Sequence, residues 1–226
     1  CMYAFILCGG MGSRLRPLTI DKPKPMIEVE GKPILWHQIQ LLKRNGIFDV
    51  VFLTGYKHEV VKDYFGSGEN FGINAKYSRE REALGRGGAI KKAIKSIADL
   101  GEEILVLNGD LLLDMDLKDL LYVHSINGST VTMLVRKYRS EVGIVELDTS
   151  MRIVSFNEKP ELPYWINGGV YVMNVDVAHR LPCKGDHEVE LFPELCSGNE
   201  MFAYEKCQYW KSIDSVKDLE DLNWNR

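Results

Sequence analysis

Polar and apolar positions along this 226-residue chain fall into short blocks whose period changes repeatedly. "YAFILC" (3–8) is a continuous apolar run ending in glycine, which predicts a buried strand. "KPILWHQIQLLKRNG" (32–46) has a helical period: Leu35, Ile39 and Leu42 share one face, Pro33 suits the first turn, and Gly46 is a stop. The alternation continues with a strand at 49–55, a short helix at 58–66, a strand at 75–80, a helix at 88–101 and an apolar strand at 103–110. A helix at 116–128 follows, which Asp116 is placed to cap. The second half is richer in strands, at 130–137, 142–148, 152–159 and 168–174, with "DTS" as a hairpin turn between the second and third. "MFAYE" and "YWKSI" read as short strands, and "SVKDLEDLN" (215–223) as a last helix.

Strands alternating with helices imply crossover connections and a parallel sheet covered on both faces. The expected fold class is α/β, a Rossmann-like mixed, mostly parallel sheet flanked by helices. The whole chain, 1–226, reads as one domain whose second half completes the sheet. Ligands of such sheets bind at the carboxyl ends of the strands. That rule singles out Gly9 to Arg14, "SREREALGRGG" (78–88) and "NGD" (108–110).

Composition narrows the partners. Hydrophobic content of 45% and charged content of 27% are ordinary for a globular protein, and a net charge of −4 marks no general nucleic-acid or membrane surface. No apolar run approaches the ~20 residues that span a bilayer. "YAFILC" lacks the length and basic flank of a signal peptide. Cys1, Cys8, Cys183, Cys196 and Cys207 form no CxxC pair, so reduced thiols and a cytoplasmic location are expected. Cys1, ahead of Met2, is set aside.

The densest chemistry lies in "LCGGMGSRLRPLTIDKPKPM" (7–26). It contains no GxxxxGK[ST] loop, and a dinucleotide fingerprint fails at Leu15, where a third small residue is required. Glycines still let successive N–H groups approach phosphate oxygens, Arg14 adds a planar fork and Lys24 a mobile point charge. Asp110 ends an apolar strand, where a charge needs solvent or a partner. Asp214 has two readings, as a metal ligand or as the cap of the helix that follows it. Glu158 and Lys159 precede Pro160, which favours an extended backbone and opposite side-chain directions; an exposed charge pair is the alternative. The five histidines have no metal-ligand spacing, and no serine sits in a GxSxG elbow.

"GGMGSRLRPLTIDKPKPMIEVEGKPIL" resembles the signature of the sugar-1-phosphate nucleotidylyltransferases, which make nucleoside-diphosphate sugars. "EREALGRGGAI", "LNGD", "FNEKP" and "NGGVYVMN" resemble further elements of that family, and the likeness runs from residue 3 to about 222. "WKSIDSVKDL" is closer to the cytidylyltransferase form of the family's last motif, with Ser212 at the usual aspartate's spacing and Asp214 two residues later.

The resemblance implies a nucleotide-binding part over about 2–128 and a sugar-phosphate-binding part over about 129–226, with no C-terminal β-helix. It implies that Leu7, Gly9, Gly10, Gly12 and Ser13 wrap the triphosphate and that Arg14 and Lys24 neutralise it. Glu82, Gly85, Gly87, Gly88, Asn108 and Gly109 would line base and ribose. Glu158, Lys159, Asn167, Gly168 and Gly169 would hold the sugar phosphate, and Asp110 and Asp214 Mg²⁺. Catalysis would then rest on Arg14, Lys24, Asp110 and Lys159. Of Glu80 and Glu82, alternation turns only one inward.

The substrates expected are a nucleoside triphosphate, GTP favoured, and a sugar 1-phosphate, with "LGRGGAI" and "LNGDLLLDMDL" most like mannose- and heptose-1-phosphate guanylyltransferases. Uridylyl or thymidylyl transfer to glucose- or amino-sugar phosphates, and a non-catalytic regulatory homologue, stay open, as does a homo-oligomer. Arg86 stands where relatives often have Thr and is able to donate to a pyrimidine.

Overall fold

The computed structural model describes residues 2–222, so Cys1 and the final residue of the helix expected at 215–223 lie outside the described residues. Strand β1 (Tyr3–Leu7) runs into the glycine turn, and two 3₁₀ turns follow at Ser13–Leu15 and Lys24–Met26. A two-residue ladder of β2 (Glu28–Val29) and β3 (Lys32–Pro33) leads into α1 (Ile34–Arg44). Then come β4 (Asp49–Thr54), α2 (His58–Phe65), β5 (Asn74–Arg79), α3 (Gly85–Ser96) and β6 (Glu103–Asn108). The second half holds β7 (Leu111–Asp114), α4 (Leu117–Asn127), β8 (Val131–Arg139), β9 (Ile144–Leu147), β10 (Ile153–Asn157) and β11 (Glu161–Asn174). It ends with α5 (His187–Glu190), α6 (Phe192–Ser197), β12 (Met201–Tyr204), β13 (Tyr209–Ser212) and α7 (Val216–Glu220).

Among the described residues the main sheet has seven strands in the order β12-β8-β11-β6-β1-β4-β5. β6, β1, β4 and β5 are parallel; β11 runs antiparallel to β6 and β8, and β12 parallel to β8. This is the mixed, mostly parallel α/β sheet expected from the alternation. β1 shows why both faces must be covered. Ala4 and Ile6 join one core with Leu35, Ile39 and Leu42 of α1 and Phe65 of α2. Tyr3 and Phe5 point the other way, into a second core with Ile90 of α3, Tyr171 and Phe192. Successive side chains of a strand alternate, so an uninterrupted apolar run supplies both layers.

The caps follow the expected chemistry. Asp116 accepts hydrogen bonds from the backbone N–H groups of Lys118 (2.9 Å) and Asp119 (3.1 Å) at the start of α4. Several features depart from the expected pattern, among them the β2–β3 ladder and helices α5 and α6, none of which was expected. α3 starts at Gly85, three residues early. β11 begins at Glu161 and not at 168, because its first half pairs with the distal end of β8. β7 was not expected at all. Cys8, Cys183, Cys196 and Cys207 are free thiols. No helix among the described residues is long and apolar enough to cross a membrane.

His187 is the least compensated polar group of the second core. It is fully buried between the rings of Tyr171 and Phe192, and neither ring nitrogen has a hydrogen-bond partner among the described residues. Burial drives its pKa down to about 4, against an opposing pull from Asp186 and with help from Arg86. A depressed histidine means that the unfolded chain takes up the proton first. Stability is therefore full above the ordinary value near 6.5 and falls as pH drops towards 4, by roughly 3 kcal/mol in all. We expect His187→Phe to flatten that fall. In urea titrations at pH 7.5 and 4.5, the variant should lose about 2 kcal/mol less stability than the wild type.

Candidate active site

The site forms where β1 and β6 end side by side, with Leu7 opposite Asn108. Past that pair both chains turn. Gly109 N–H donates to the Leu7 carbonyl at 3.0 Å, and a Cβ on Gly109 would meet that oxygen at 2.6 Å, so only glycine fits the crossing. Gln38, buried on α1, donates to the carbonyls of Asn108 and Leu111, both at 2.9 Å, and so holds the turn that carries Asp110.

Beyond the turn, β7 pairs antiparallel with β13, and Leu111 lies opposite Ser212. Ile213 N–H also donates to the Asp110 carbonyl at 3.0 Å. This ladder brings together two aspartates over 100 residues apart in sequence, one just before β7 and one just after β13. Lys24 Nζ donates to Asp110 Oδ2 at 2.6 Å and to Asp214 Oδ1 at 2.8 Å. Gly12 gives the lysine room: at φ +59°, a Cβ there would sit 2.9 Å from Lys24 Cβ. Arg14 Nη2 reaches the same Asp214 oxygen at 3.1 Å while its side chain stays 78% exposed, leaving most of the fork open to a ligand.

The two readings of Asp214 are separated by these contacts. Ser215 caps α7 in a reciprocal box with Asp218: Asp218 N–H donates to Ser215 Oγ at 3.3 Å, and Ser215 N–H to Asp218 Oδ2 at 2.8 Å. The Asp214 carboxylate faces Lys24, Arg14 and the Ser212 hydroxyl, which donates at 2.7 Å. Partial burial alone raises its pKa, but the hydrogen bonds from Lys24 and Ser212 and the charges of Lys24 and Arg14 outweigh burial and hold it below the carboxylate range. Asp214 is thus an anion at neutral pH.

Beside this cluster lies a cleft of about 300 Å³, lined by Leu7, Gly9, Gly10, Lys24, Glu80, Gly85, Arg86, Asn108, Gly109 and Asp110 among others. All three strand-end segments singled out from sequence contribute to it. A larger cavity, about 870 Å³, lies at the opposite end of β6, around Glu102, Glu103 and His124. Ligands of parallel sheets bind at the carboxyl ends, so the smaller cleft is the candidate.

Several expected residues lie elsewhere. Glu80, not Glu82, turns inward: Glu80 Oε2 accepts from Leu84 N–H at 2.9 Å, while Glu82 is exposed. Gly87 and Gly88 face the chain at 183–187. Their N–H groups donate to the Gly185 carbonyl at 3.0 and 3.3 Å, so they serve close packing and point no donors into the cleft. Ser13 and Arg14 sit on the exposed 3₁₀ turn outside the cleft wall. Arg86 spends its guanidinium on Asp186 and Glu188, in four hydrogen bonds of 2.5–2.9 Å, and has no fork left for a pyrimidine.

On the far side, Gly169 (φ +71°) packs against Asn108, where a Cβ would meet Nδ2 at 2.7 Å. Asn167 Oδ1 accepts from Gly169 N–H at 2.8 Å, and the Gly168 carbonyl accepts from Trp210 Nε1 at 2.8 Å. The turn 167–169 therefore adjoins the cleft. Glu158 and Lys159 are exposed and make no hydrogen bond or ion pair to the cluster. The extended backbone expected before Pro160 is absent, since Lys159 has φ +46°. The chain reverses there from β10 into β11, and Ser140 N–H donates to the Pro160 carbonyl at 3.0 Å. Among the described residues no three His, Cys, Asp or Glu side chains gather to hold a metal, so any ion at Asp110 and Asp214 would complete its shell with other oxygens. Gln38 was missed from sequence, although a glutamine between Leu35, Ile39 and Leu42 on a buried helix face was a visible signal.

A family model described as nucleotidyl transferase matches residues 3–225. The mannose-1-phosphate guanylyltransferase catalytic subunit beta of Drosophila melanogaster is 35% identical over 222 residues, covering 96% of this chain and 60% of the relative. The mannose-1-phosphate guanyltransferase of Gibberella zeae is 34% identical over 226 residues, covering 96% of this chain and 62% of the relative. The chain thus spans about three fifths of the length of these curated relatives. Among solved structures, HddC from Yersinia pseudotuberculosis complexed with GMP-PN matches with a TM-score of 0.74 at 25% identity, over 96% of each chain.

The capping assignment is open to direct test. Ser215→Ala removes the side-chain acceptor of the Asp218 N–H and the hydroxyl that donates to Asp218 Oδ2, and should cost about 1 kcal/mol in urea denaturation. An unchanged midpoint would show that the Ser215 hydroxyl is not the cap.

Proposed function

This chain belongs to the nucleotidyl transferase family, and from that premise we propose that it transfers a nucleoside monophosphate from a nucleoside triphosphate to a sugar 1-phosphate, releasing pyrophosphate. GTP and mannose 1-phosphate are the preferred pair. The carrying observation is the convergence of Asp110, Asp214 and Lys24 at the mouth of a glycine-walled cleft on the carboxyl ends of β1 and β6. The relatives described as mannose-1-phosphate guanylyltransferases and the GMP-PN complex of HddC support the choice of base and sugar.

The reaction needs no nucleophilic side chain. A sugar 1-phosphate is already anionic at pH 7, so its oxygen attacks the α-phosphorus without a general base. The bond to the β-phosphate breaks, and pyrophosphate departs with the electron pair. The protein's task is to bring two polyanions into line. The Gly9–Gly10 backbone allows close approach, and Arg14 and Lys24 offset the triphosphate charge. Lys159 is assigned to the sugar phosphate, which requires its exposed side chain to reach towards the turn 167–169. The buried Asn108 oxygen has no hydrogen-bond partner among the described residues, and since Asn108 lines the cleft, a small side-chain rotation would offer it to a ligand hydroxyl or amine.

Two carboxylates from distant segments form an oxygen-only donor set that suits Mg²⁺, with Asp110 and Asp214 as its ligands. When bound, the ion supplies neutralisation of phosphate charge. For the base, Glu80 is the cleft carboxylate. Oε2 is taken by Leu84, and Oε1 remains to accept from the N1–H and N2–H₂ edge of guanine. An unpaired buried acceptor costs about 1–3 kcal/mol, so GTP should be favoured roughly 10- to 100-fold over bases lacking that edge.

A pyrophosphate-release screen of GTP, UTP, dTTP, CTP and ATP against mannose and glucose 1-phosphates tests the reading. Activity should vanish with EDTA and return with Mg²⁺. Asp110→Asn and Asp214→Asn should each lower kcat by orders of magnitude, and full activity in either would remove that residue from the site. Lys159→Ala should raise KM mainly for the sugar 1-phosphate. If UTP or dTTP outperforms GTP with every sugar, the guanylyl assignment is wrong while the reaction class stands.

A further inference from the structure

Arg86 lines the nucleotide cleft, yet its bonds lead away from it. Nε and Nη2 donate to Asp186 Oδ2 at 2.9 and 2.5 Å, and Nη1 and Nη2 donate to the two oxygens of Glu188 at 2.9 and 2.7 Å. Glu188 Oε1 in turn accepts from Asn167 Nδ2 and from the Tyr171 hydroxyl, both at 2.9 Å. Tyr171 is fully buried. Asn167 Oδ1 then accepts from Gly169 N–H at 2.8 Å, at the left-handed residue that abuts Asn108. One continuous chain of hydrogen bonds thus joins the first turn of α3 to the turn 167–169 across the cleft.

We propose that Arg86 is a positioning residue for the sugar-phosphate side of the site, acting through Glu188 on the Asn167 carboxamide and the Gly168–Gly169 turn. The inference rests on the proposed function above and assigns Arg86 a role opposite to its place in sequence, which lies in the segment read as nucleotide-binding. The physical reason is directional. The carboxamide of Asn167 has two distinguishable ends, and Glu188 as an anion accepts only from Nδ2. Oδ1 is then left facing the Gly169 N–H. The Glu188 oxygens are held in place by the bidentate Arg86 fork, which lysine cannot reproduce. Without Arg86, Glu188 is free to swing towards solvent, and the carboxamide is left with the Gly169 N–H and the Tyr171 hydroxyl, which contacts both of its ends, so Nδ2 loses its charged acceptor and the turn its anchor to α3.

The test compares wild type with Arg86→Gln, Arg86→Lys, Glu188→Gln and the Arg86→Gln/Glu188→Gln double variant, with GTP, mannose 1-phosphate and Mg²⁺. Arg86→Gln should raise KM for the sugar 1-phosphate about tenfold, with KM for GTP within about twofold. Arg86→Lys should rescue only part of the loss. Because both residues act in one chain, the double variant should be no worse than the poorer single one. A rise confined to KM for GTP would overturn the proposal by placing Arg86 on the nucleotide. So would a lowered melting temperature with both KM values unchanged, which marks a purely structural role. Additive losses would show that the two residues act separately. Should Arg86→Gln fail to fold, Arg86→Lys and Glu188→Gln carry the same KM comparison. Wild-type protein that releases no pyrophosphate with any pair refutes the proposed function itself. Titration calorimetry of mannose 1-phosphate into wild type and Glu188→Gln then decides the positioning role, with weaker binding by the variant expected and equal binding overturning it.

Discussion

The site depends on holding two like charges at one point. Asp110 and Asp214 would repel each other if brought together alone, and Lys24 Nζ sits within 2.8 Å of both. Everything nearby serves that arrangement. The β7–β13 ladder sets the spacing of the two carboxylates, Gln38 fixes the turn before one, and the Ser215–Asp218 box fixes the helix after the other. Gly12 leaves space for the lysine, and Gly109 lets the Asp110 turn cross the end of β1. The Lys24 side chain is only 13% exposed, so its charge acts with little solvent screening, whereas the Arg14 contact to Asp214 is largely wet and worth less.

Local features of the fold were legible because local physics decides them. The apolar run 3–8, the face Leu35–Ile39–Leu42 and the Asp116 cap each involve neighbours in sequence. The site was legible only as far as residue chemistry reaches. Glycine, Arg14 and Lys24 marked the turn after β1 as a candidate phosphate site, and Asp110 marked a strand end. What joins Asp110 to Asp214 was not legible, because "LLLD" and "YWKS" pair across about a hundred residues, and although "YWKSI" read as a strand, nothing in it named "LLLD" as its partner. Gly87 and Gly88 misled for a related reason. A glycine announces close approach, but not what approaches, and here it is the backbone at 183–187 and not a ligand. At Lys159 the preference set by Pro160 yields to a chain reversal that the pairing of β8 with β11 imposes.

The two halves of the sheet meet at the cleft with different mechanical characters. The parallel strands β6, β1 and β4 are buried on both faces and present rigid ends, which suits a turn built from backbone. The antiparallel strand β11 arrives from the other side and carries the turn 167–169, whose shape is set by side chains: Asn167, Tyr171 and Glu188. Positional precision at a polyanion comes from backbone amides that cannot move far. Discrimination between sugars asks for side chains whose hydrogen-bonding sense is fixed. The division of labour follows from what each kind of strand can offer.

Charge decides what the protein still lacks on its own. Arg14 and Lys24 bring two positive charges, and Asp110 and Asp214 bring two negative ones, so the cluster cancels. The chain as a whole carries −4. A triphosphate approaching this site would find hydrogen-bond donors but no net attraction, and a second polyanion would be repelled by the first. Two carboxylates are a liability if the only purpose is to bind phosphate, since alanines in their place would leave the lysine and arginine free. Their presence beside the glycine turn makes sense if they recruit further positive charge, and the oxygen-only donor set fits a hard divalent cation. The neutral cluster is therefore a physical argument for the proposed metal: Arg14 and Lys24 are each matched by a carboxylate, and a cation on Asp110 and Asp214 would free that positive charge for the incoming phosphates.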